Sequence, residues 1–302
     1  MKRYSNPISR RMVVSLVIVS VVFVTLFLGL NTYWNYAVVL IPAMIVAIFV
    51  ILTIYVQRIN RVIAEQADQE NAEIRRDLTQ NIAHELKTPV ASIRGYLETI
   101  LDTPDMDEQT KTQFLRRSYA QTKRLSTLLR DISTLNNMDA KAPAYKLEDV
   151  NICRMVGSIS RDTSLQLQEA HMVFRNMLIE PIIVRGDVSL LYSVFRNLID
   201  NAIAYAGHGT TITLSAAMLD GLWHFTFQDN GPGVPEASLD RLFERFYRVD
   251  KGRSRKLGGN GLGLAIVKNA IMIHGGDIVA SNAENGGLRF DFTLSPDNFK
   301  AD

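Results

Sequence analysis

Two long uncharged segments near the start of the chain restrict its architecture more than any other feature. Residues 12–30 and 37–56 contain no Asp, Glu, Lys or Arg and are rich in Val, Leu, Ile and Phe. At about 1.5 Å per helical residue, each is roughly 30 Å long, which matches the hydrocarbon core of a bilayer. A cleaved signal peptide followed by a buried helix is the alternative. It is disfavoured because the first segment exceeds a typical signal-peptide core and the second follows at once. The sequence therefore predicts two transmembrane helices.

The charges that flank the two segments predict their orientation. Basic residues precede the first and follow the second, namely Lys2, Arg3, Arg10 and Arg11 before, and Arg58 and Arg61 after. The connection, residues 31–36, has no basic residue, and basic residues favour the cytoplasmic side. We therefore expect both termini in the cytoplasm and a multi-pass anchor at residues 1–56 in contact with membrane lipids. A loop of six residues is too short for an extracytoplasmic sensor domain.

The charge balance and the cysteine count of the 302 residues argue against two classes of protein. There are 33 basic and 31 acidic side chains, a formal net charge of +2. So small a positive excess gives no sign of nucleic-acid binding. A single cysteine cannot form an intramolecular disulfide. The chain after residue 56 is thus expected to fold through ordinary hydrophobic cores.

A helical hairpin is predicted directly after the second span. Apolar residues recur at three- and four-residue spacing over 57–101, the acidic stretch 102–110 with Pro104 interrupts the pattern, and it resumes over 114–137. Such a hairpin has too little core to be stable alone, so we expect it to dimerise as a four-helix bundle. This hairpin domain is assigned to residues 57–139.

Residues 140–302 are predicted to form a linker followed by an α+β domain. Helices are expected at 150–169, 188–205 and 264–274, and strands at 171–177, 210–218, 222–228, 277–281 and 288–294. Short turns rich in glycine join consecutive strands, which indicates hairpins. The sheet is therefore expected to be mixed, with its helices on one face.

His84 is the candidate nucleophile in the hairpin. It lies two residues from Ile82, so it points away from the apolar stripe toward solvent. Neutral imidazole can attack through one nitrogen, and the neighbouring Glu85 can accept the proton of the other. Thr88 is one helical turn further along the same face. Taken alone, however, these residues fit an ordinary solvated histidine better.

The second domain carries polar groups and glycines suited to a nucleotide. Asn197 and Asn201 are four residues apart on a predicted helix, so both amides emerge on one face, where their oxygens can hold a hard cation. Asp229 follows a predicted strand and begins the sequence DNGPG, whose glycines let a ligand approach the backbone. Residues 258–263, GGNGLG, lead into a helix whose amino-terminal N–H groups favour phosphate oxygens.

Five motifs in this order resemble those of the sensor histidine kinases of two-component systems. They are the H box at 84–89, the N box at 197–202, the first glycine box at 229–233, the F box at 243–247 and the second glycine box at 259–263. The resemblance covers about residues 70–297. It implies a hairpin for dimerisation and phosphotransfer, followed by an ATP-binding α+β sandwich of the Bergerat (GHKL) type.

The resemblance implies a role for each hairpin residue singled out above. His84 is then the phosphorylated residue, Glu85 its general base, and Thr88 the residue that positions water for dephosphorylation of the partner.

For the ATP-binding domain, the resemblance implies the ligands of ATP and Mg²⁺. Asn201, with Asn197 beside it, holds Mg²⁺ against the triphosphate, while Asp229 bonds the adenine amino group and Tyr205 lines its pocket. Glycines that shape the pocket and its lid are Gly231, Gly233, Gly261 and Gly263. Cations in the lid that could meet the γ-phosphate are Arg245, Arg248, Arg253 and Arg255. One position departs from the family, because Ala204 stands where a basic residue is common.

The function implied is that of an ATP-dependent protein-histidine kinase in a bacterial inner membrane. As a homodimer it would phosphorylate His84 from Mg-ATP and pass the phosphoryl group to an aspartate in the receiver domain of a separate response regulator. It would also dephosphorylate that regulator. Three alternatives are a protein that acts mainly as a phosphatase, a kinase-dead membrane scaffold, and a clamping ATPase of the same nucleotide fold.

Overall fold

The structure is a computed structural model that describes residues 7–29, 34–138, 145–179, 181–250 and 259–297. The chain divides into two compact units, residues 1–76 and residues 77–302.

Two helices make up the described part of the first unit. Helix α1 spans Pro7–Gly29, and helix α2 spans Trp34–Asp102 and continues into the second unit. Among the described residues, none of the helices combines the length and the apolar character needed to cross a membrane. Residues 31–33 of the predicted connection lie outside the described residues, and the two predicted spans stay predictions.

The helical hairpin is formed by the end of α2 and by helix α3, Glu108–Met138. Asp107 ends the turn between them, where its Oδ1 accepts from the backbone N–H of Thr110 at 2.8 Å. Across the hairpin, the rings of Tyr96 and Phe114 stack with centroids 5.6 Å apart. The predicted helices at 57–101 and 114–137 are thus confirmed, although the first begins earlier than expected.

The α+β domain consists of seven strands and five helices within the described residues. In chain order they are β1 Leu147–Asn151, α4 Ile152–Asp162, α5 Ser164–Glu169, β2 Val173–Asn176, β3 Ile183–Asp187, α6 Val188–Tyr205, β4 Thr211–Leu219, β5 Leu222–Asp229, α7 Glu236–Leu239, α8 Gly263–Ile273, β6 Ile278–Asn282 and β7 Leu288–Leu294. The main sheet has the order β2-β4-β5-β7-β6, with β2 and β4 parallel and the other neighbours antiparallel. The predicted mixed sheet and its five strands are confirmed.

A second, two-stranded sheet corrects the sequence prediction. β1 and β3 pair antiparallel, although 140–149 was predicted as a linker and 183–187 was assigned to no element. β1 carries one buried residue, Val150, so it lacks the apolar alternation that reveals a strand.

The predicted helix 150–169 is also wrong as a single element. It begins after Asn151, whose side chain accepts from the N–H of Arg154, and it divides into α4 and α5 at the buried Thr163.

The core of this domain fixes helix α6, which carries the two asparagines, against the sheet. Phe195 of α6 packs edge-on against Phe225 of β5, with ring centroids 5.7 Å apart. The start of α6 is held by His274, a fully buried histidine at the end of α8. Its Nδ1 donates to the carbonyl of Ala270 at 2.6 Å, and its Nε2 accepts from the N–H of Asp187 at 3.1 Å. Burial lowers the pKa of His274, which favours the neutral imidazole whose Nε2 accepts this bond.

Candidate functional site

A cavity of about 420 Å³ lies between α6, the start of α8 and the loop that follows β5. Predicted site residues on its wall are Asn197, Asn201, Tyr205, Gly233, Gly261 and Gly263. Ala204 also lines it, at the position where the resemblance would favour a basic residue. Tyr247 of the F box lines it as well, so the geometry brings residues from four of the five motifs to one concave surface.

Two of the glycines are required by the shape of this cavity. A Cβ on Gly263 would lie 2.7 Å from Oδ1 of Asn197, so a side chain there would displace that amide from its position beside α8. Gly261 has a φ of +72°, and a Cβ there would lie 2.8 Å from the backbone carbon of Phe246. Any side chain at either position would displace a wall of the cavity.

The amide of Asn197 presents its oxygen toward the start of α8. Nδ2 of Asn197 donates to the carbonyl of Ser193 at 2.8 Å, which leaves its Oδ1 on the side of Gly263. Asn201 follows one turn later and lines the same cavity. Amide oxygens beside a helix amino terminus suit Mg²⁺ and the phosphates it accompanies.

Asp229 lies buried at the edge of the site. Its Oδ1 accepts from the N–H of Gly231 at 2.8 Å and from that of Leu288 at 3.2 Å. Burial raises the pKa of Asp229, and the two backbone donors act in the opposite direction. In the part of the chain described, Asp229 and Gly231 do not line the cavity, but their neighbours Gly233 and Leu288 do. Two described donors thus occupy Oδ1 and none occupies Oδ2.

The H box faces this domain through Glu85. His84 itself is exposed, as predicted, and its carbonyl accepts from the hydroxyl of Thr88 at 3.3 Å. Glu85 is half-buried between two guanidinium groups. Its Oε2 lies 3.3 Å from Nη2 of Arg124 on α3, and its Oε1 lies 3.8 Å from Nη1 of Arg248.

Arg248 stands out from the four lid arginines that the sequence singled out. Its side chain is 7% exposed and lines the cavity, and its Nε and Nη2 are buried without a hydrogen-bond partner among the described residues. Because leaving a buried donor unsatisfied is costly, these groups favour an anionic ligand in the cavity. Arg245 does not line the described cavity, and Arg253 and Arg255 lie outside the described residues.

The hairpin also forms part of the cavity wall, which the sequence did not predict. Thr127 and Asp131 of α3 line it, and Asp131 accepts a hydrogen bond from Asn260 at 2.5 Å. An apolar cluster beside this contact joins α3 to the start of α8 and consists of Leu128, Leu135, Leu262 and Ile266. The helical periodicity of α3 does not identify Asp131 as a site residue, because its hydrogen-bond partner Asn260 is 129 residues away in the chain.

Two family models match this part of the chain. The family described as His Kinase A (phospho-acceptor) domain matches residues 74–141. The family described as Histidine kinase-, DNA gyrase B-, and HSP90-like ATPase matches residues 186–298.

Individual proteins give the same result. The sensor histidine kinase WalK of Bacillus subtilis is 36% identical over 233 residues, which cover 76% of this chain and 37% of that protein. The structure of the Acinetobacter baumannii histidine kinase AdeS superposes with a TM-score of 0.58 at 28% identity, covering 71% of this chain and 98% of that one.

A third relative shares the fold at lower identity. The histidine kinase ThkA, solved in complex with the response regulator protein TrrA, has a TM-score of 0.61 at 22% identity, covering 76% of this chain and 64% of that one. The chain spans about a third to a half of the length of the curated relatives it matches. Through a phospho-acceptor domain and an ATPase domain within residues 74–298, the chain belongs to the sensor histidine kinases of two-component systems.

Proposed function

We propose that the chain transfers the γ-phosphoryl group of ATP to His84 and then to an aspartate of a separate response regulator. One contact carries this proposal. Glu85, the neighbour of His84, touches Arg248, which lines the cavity with two unused buried donors. The proposed phosphoacceptor segment and the proposed phosphate site are therefore in contact through Glu85 and Arg248.

Each end of the cavity suits one part of ATP. Asp229, at the edge of the cavity, has no described donor on Oδ2 and would bond the adenine amino group, while Tyr205 would line the pocket of the base. The N–H groups at the start of α8 and the guanidinium of Arg248 would hold the phosphates. Asn201 and Asn197 would hold Mg²⁺, which neutralises charge that develops on the phosphates during transfer.

The chemical step uses two hairpin residues. A nitrogen of the His84 imidazole attacks the γ-phosphorus of ATP, and the bond from that phosphorus to the β–γ bridging oxygen breaks, which releases ADP. The imidazole proton passes to Glu85. Glu85 must first part from Arg248, because a carboxylate held by two guanidinium groups has fewer lone pairs for the proton. Once released from Glu85, Arg248 can also contact the γ-phosphate during the transfer.

The partners we propose follow from the hairpin. Exposed apolar side chains on α2 and α3, among them Leu101 and Tyr119, suit a second copy of the chain in a four-helix bundle. The complex of ThkA with a response regulator supports a receiver domain as the phosphoryl acceptor. Thr88, exposed one turn after His84, would position water when the same face dephosphorylates that regulator.

We further propose that residues 1–56 anchor the chain in a bacterial inner membrane, ahead of a hairpin domain at 57–139 and a catalytic region at 140–302. The support is the uncharged character of 12–30 and 37–56, together with exposed apolar side chains such as Phe27 and Phe49. The protein is expected to stay in the membrane fraction after extraction with alkaline carbonate. Recovery in the supernatant would contradict the anchor.

The kinase proposal is tested by incubating the purified chain with Mg²⁺ and ATP radiolabelled at the γ-phosphate. We expect label that is stable in alkali and lost in acid, as a phosphoramidate is, and that moves to a receiver domain added afterwards. ATP labelled at the α-phosphate is the control and should leave no label. Acid-stable label would point to a hydroxyl acceptor instead of histidine.

A further inference from the structure

We infer that Asp131, a hairpin residue, lowers the affinity of the cavity for ATP relative to less highly charged nucleotides. This inference rests on the proposed function, because it assumes that the cavity binds ATP. The carboxylate would act by occupying the amide of Asn260 at the end of the cavity where phosphates would lie.

The contact between the two residues is well defined. Nδ2 of Asn260 donates to Oδ2 of Asp131 at 2.5 Å, while Oδ1 of Asn260 accepts from the N–H of Leu262 at 3.0 Å. The second bond fixes which end of the amide faces the hairpin. Both Asp131 and Asn260 line the cavity, so the donor that Asp131 occupies is one that a ligand could otherwise use.

The position of this contact places the carboxylate among groups suited to anions. Asn260 lies three residues before Gly263, where α8 begins, and the N–H groups at that start favour phosphate oxygens. Asp131 shares the cavity with Asp200, and no ion pair involving Asp131 is present in the described ranges. Burial raises the pKa of Asp131, while the hydrogen bond from Asn260 and the charge of Arg130 act in the opposite direction.

A bound phosphate chain would therefore meet a carboxylate of the same sign in a partly buried site, and the repulsion grows with each phosphate. Adenosine has no phosphate and should be indifferent to Asp131. ADP should be affected less than ATP. The graded response separates an electrostatic effect of Asp131 from a change in the shape of the cavity.

Because the coupling between two binding events is reciprocal, the contact between Asp131 and Asn260 also affects the hairpin. The factor by which the docked Asp131 weakens ATP binding must equal the factor by which bound ATP weakens docking of α3 on α8. Leu128 and Leu135 keep α3 packed on Leu262 and Ile266 when no phosphate competes. ATP thus favours release of the hairpin, and with it release of Glu85 from Arg248.

The test compares the full chain with Asp131→Asn, in which the shape of the side chain and its bond to Asn260 can persist without charge. Binding of adenosine, ADP and a non-hydrolysable ATP analogue is titrated by calorimetry. We expect the analogue to bind about tenfold tighter to the variant, ADP to gain less and adenosine to be unchanged. Asp105→Asn, which removes a charge from the exposed turn between α2 and α3, is the matched control and should change none of the three affinities. Asp131→Ser provides a second neutral variant should the first fold poorly.

Two results would overturn the inference and can be told apart. If the wild-type chain binds the three ligands but both neutral variants show an unchanged ratio of ATP-analogue to adenosine affinity, Asp131 has no discriminating role and the proposed function stands. If the wild-type chain binds none of the three ligands, the nucleotide site itself is wrong and both proposals fail.

Discussion

His84→Gln is expected to abolish phosphorylation of the chain by ATP while leaving ATP binding intact. Glutamine keeps a polar side chain at an exposed helical position but has no nitrogen lone pair that can attack phosphorus. Because His84 does not line the cavity, the substitution should leave the nucleotide affinity unchanged. Transfer of label from the γ-phosphate, measured beside the dissociation constant of a non-hydrolysable analogue, separates the two effects.

Two further variants sharpen this result. His224→Gln changes another exposed histidine, on β5, and should label at the wild-type rate. Glu85→Gln should slow labelling by roughly a hundredfold without removing it, since loss of a general base typically costs a factor of that order. Full labelling of His84→Gln would show that another residue accepts the phosphoryl group, and the role of Glu85 would fail with it.

The fold of the second domain was predictable wherever an element carries its own periodic signal. Helix Val188–Tyr205 and strand Leu288–Leu294 have the predicted bounds, because buried residues recur along each at the spacing of its own secondary structure. β1 and β3 were missed for the opposite reason. Exposed residues dominate β1, and in β3 one of the two buried positions is Gly186, so neither sequence shows an apolar alternation. The two strands stabilise each other by pairing.

The residues of the candidate site were likewise predictable only where they belong to a local sequence pattern. Asn197, Asn201 and the glycines of 259–263 belong to local sequence patterns, and all of them line one cavity. Arg248 was identified only as one of four lid cations, because its burial and its contact with Glu85 depend on how the hairpin packs. Asp131 lies on an amphipathic helix, where a single acidic residue is ordinary, and only the tertiary contact with Asn260 distinguishes it.

Asp229→Asn is expected to weaken ATP binding by about 10- to 100-fold, the range of a hydrogen bond to a charged group. The asparagine Oδ1 can still accept from Gly231 and Leu288, so the loop after β5 should keep its conformation. Its Nδ2, however, presents an N–H to the adenine amino group, and two donors cannot bond each other. A purine with a carbonyl at that ring position, as in inosine triphosphate, offers an acceptor instead. The variant should therefore lose ATP affinity and gain affinity for inosine triphosphate, as titrations of both nucleotides would measure.

The sign of the pKa shift separates this loss from misfolding. The pKa of Asp229 is raised by burial, so the folded protein holds its ionised form less favourably than the unfolded chain does. Because the folded-state pKa lies above the unfolded value, ionisation of Asp229 lowers the stability of the fold as the pH rises through that pKa. At neutral pH the charge of Asp229 therefore destabilises the fold. A neutral asparagine removes that penalty, and the melting temperature should not fall. Asp220→Asn, in the exposed turn between β4 and β5 where asparagine tolerates the positive φ of 50°, is the matched control. Unchanged ATP affinity in Asp229→Asn would place the base elsewhere in the cavity, whereas a lowered melting temperature would assign Asp229 to the stability of its loop.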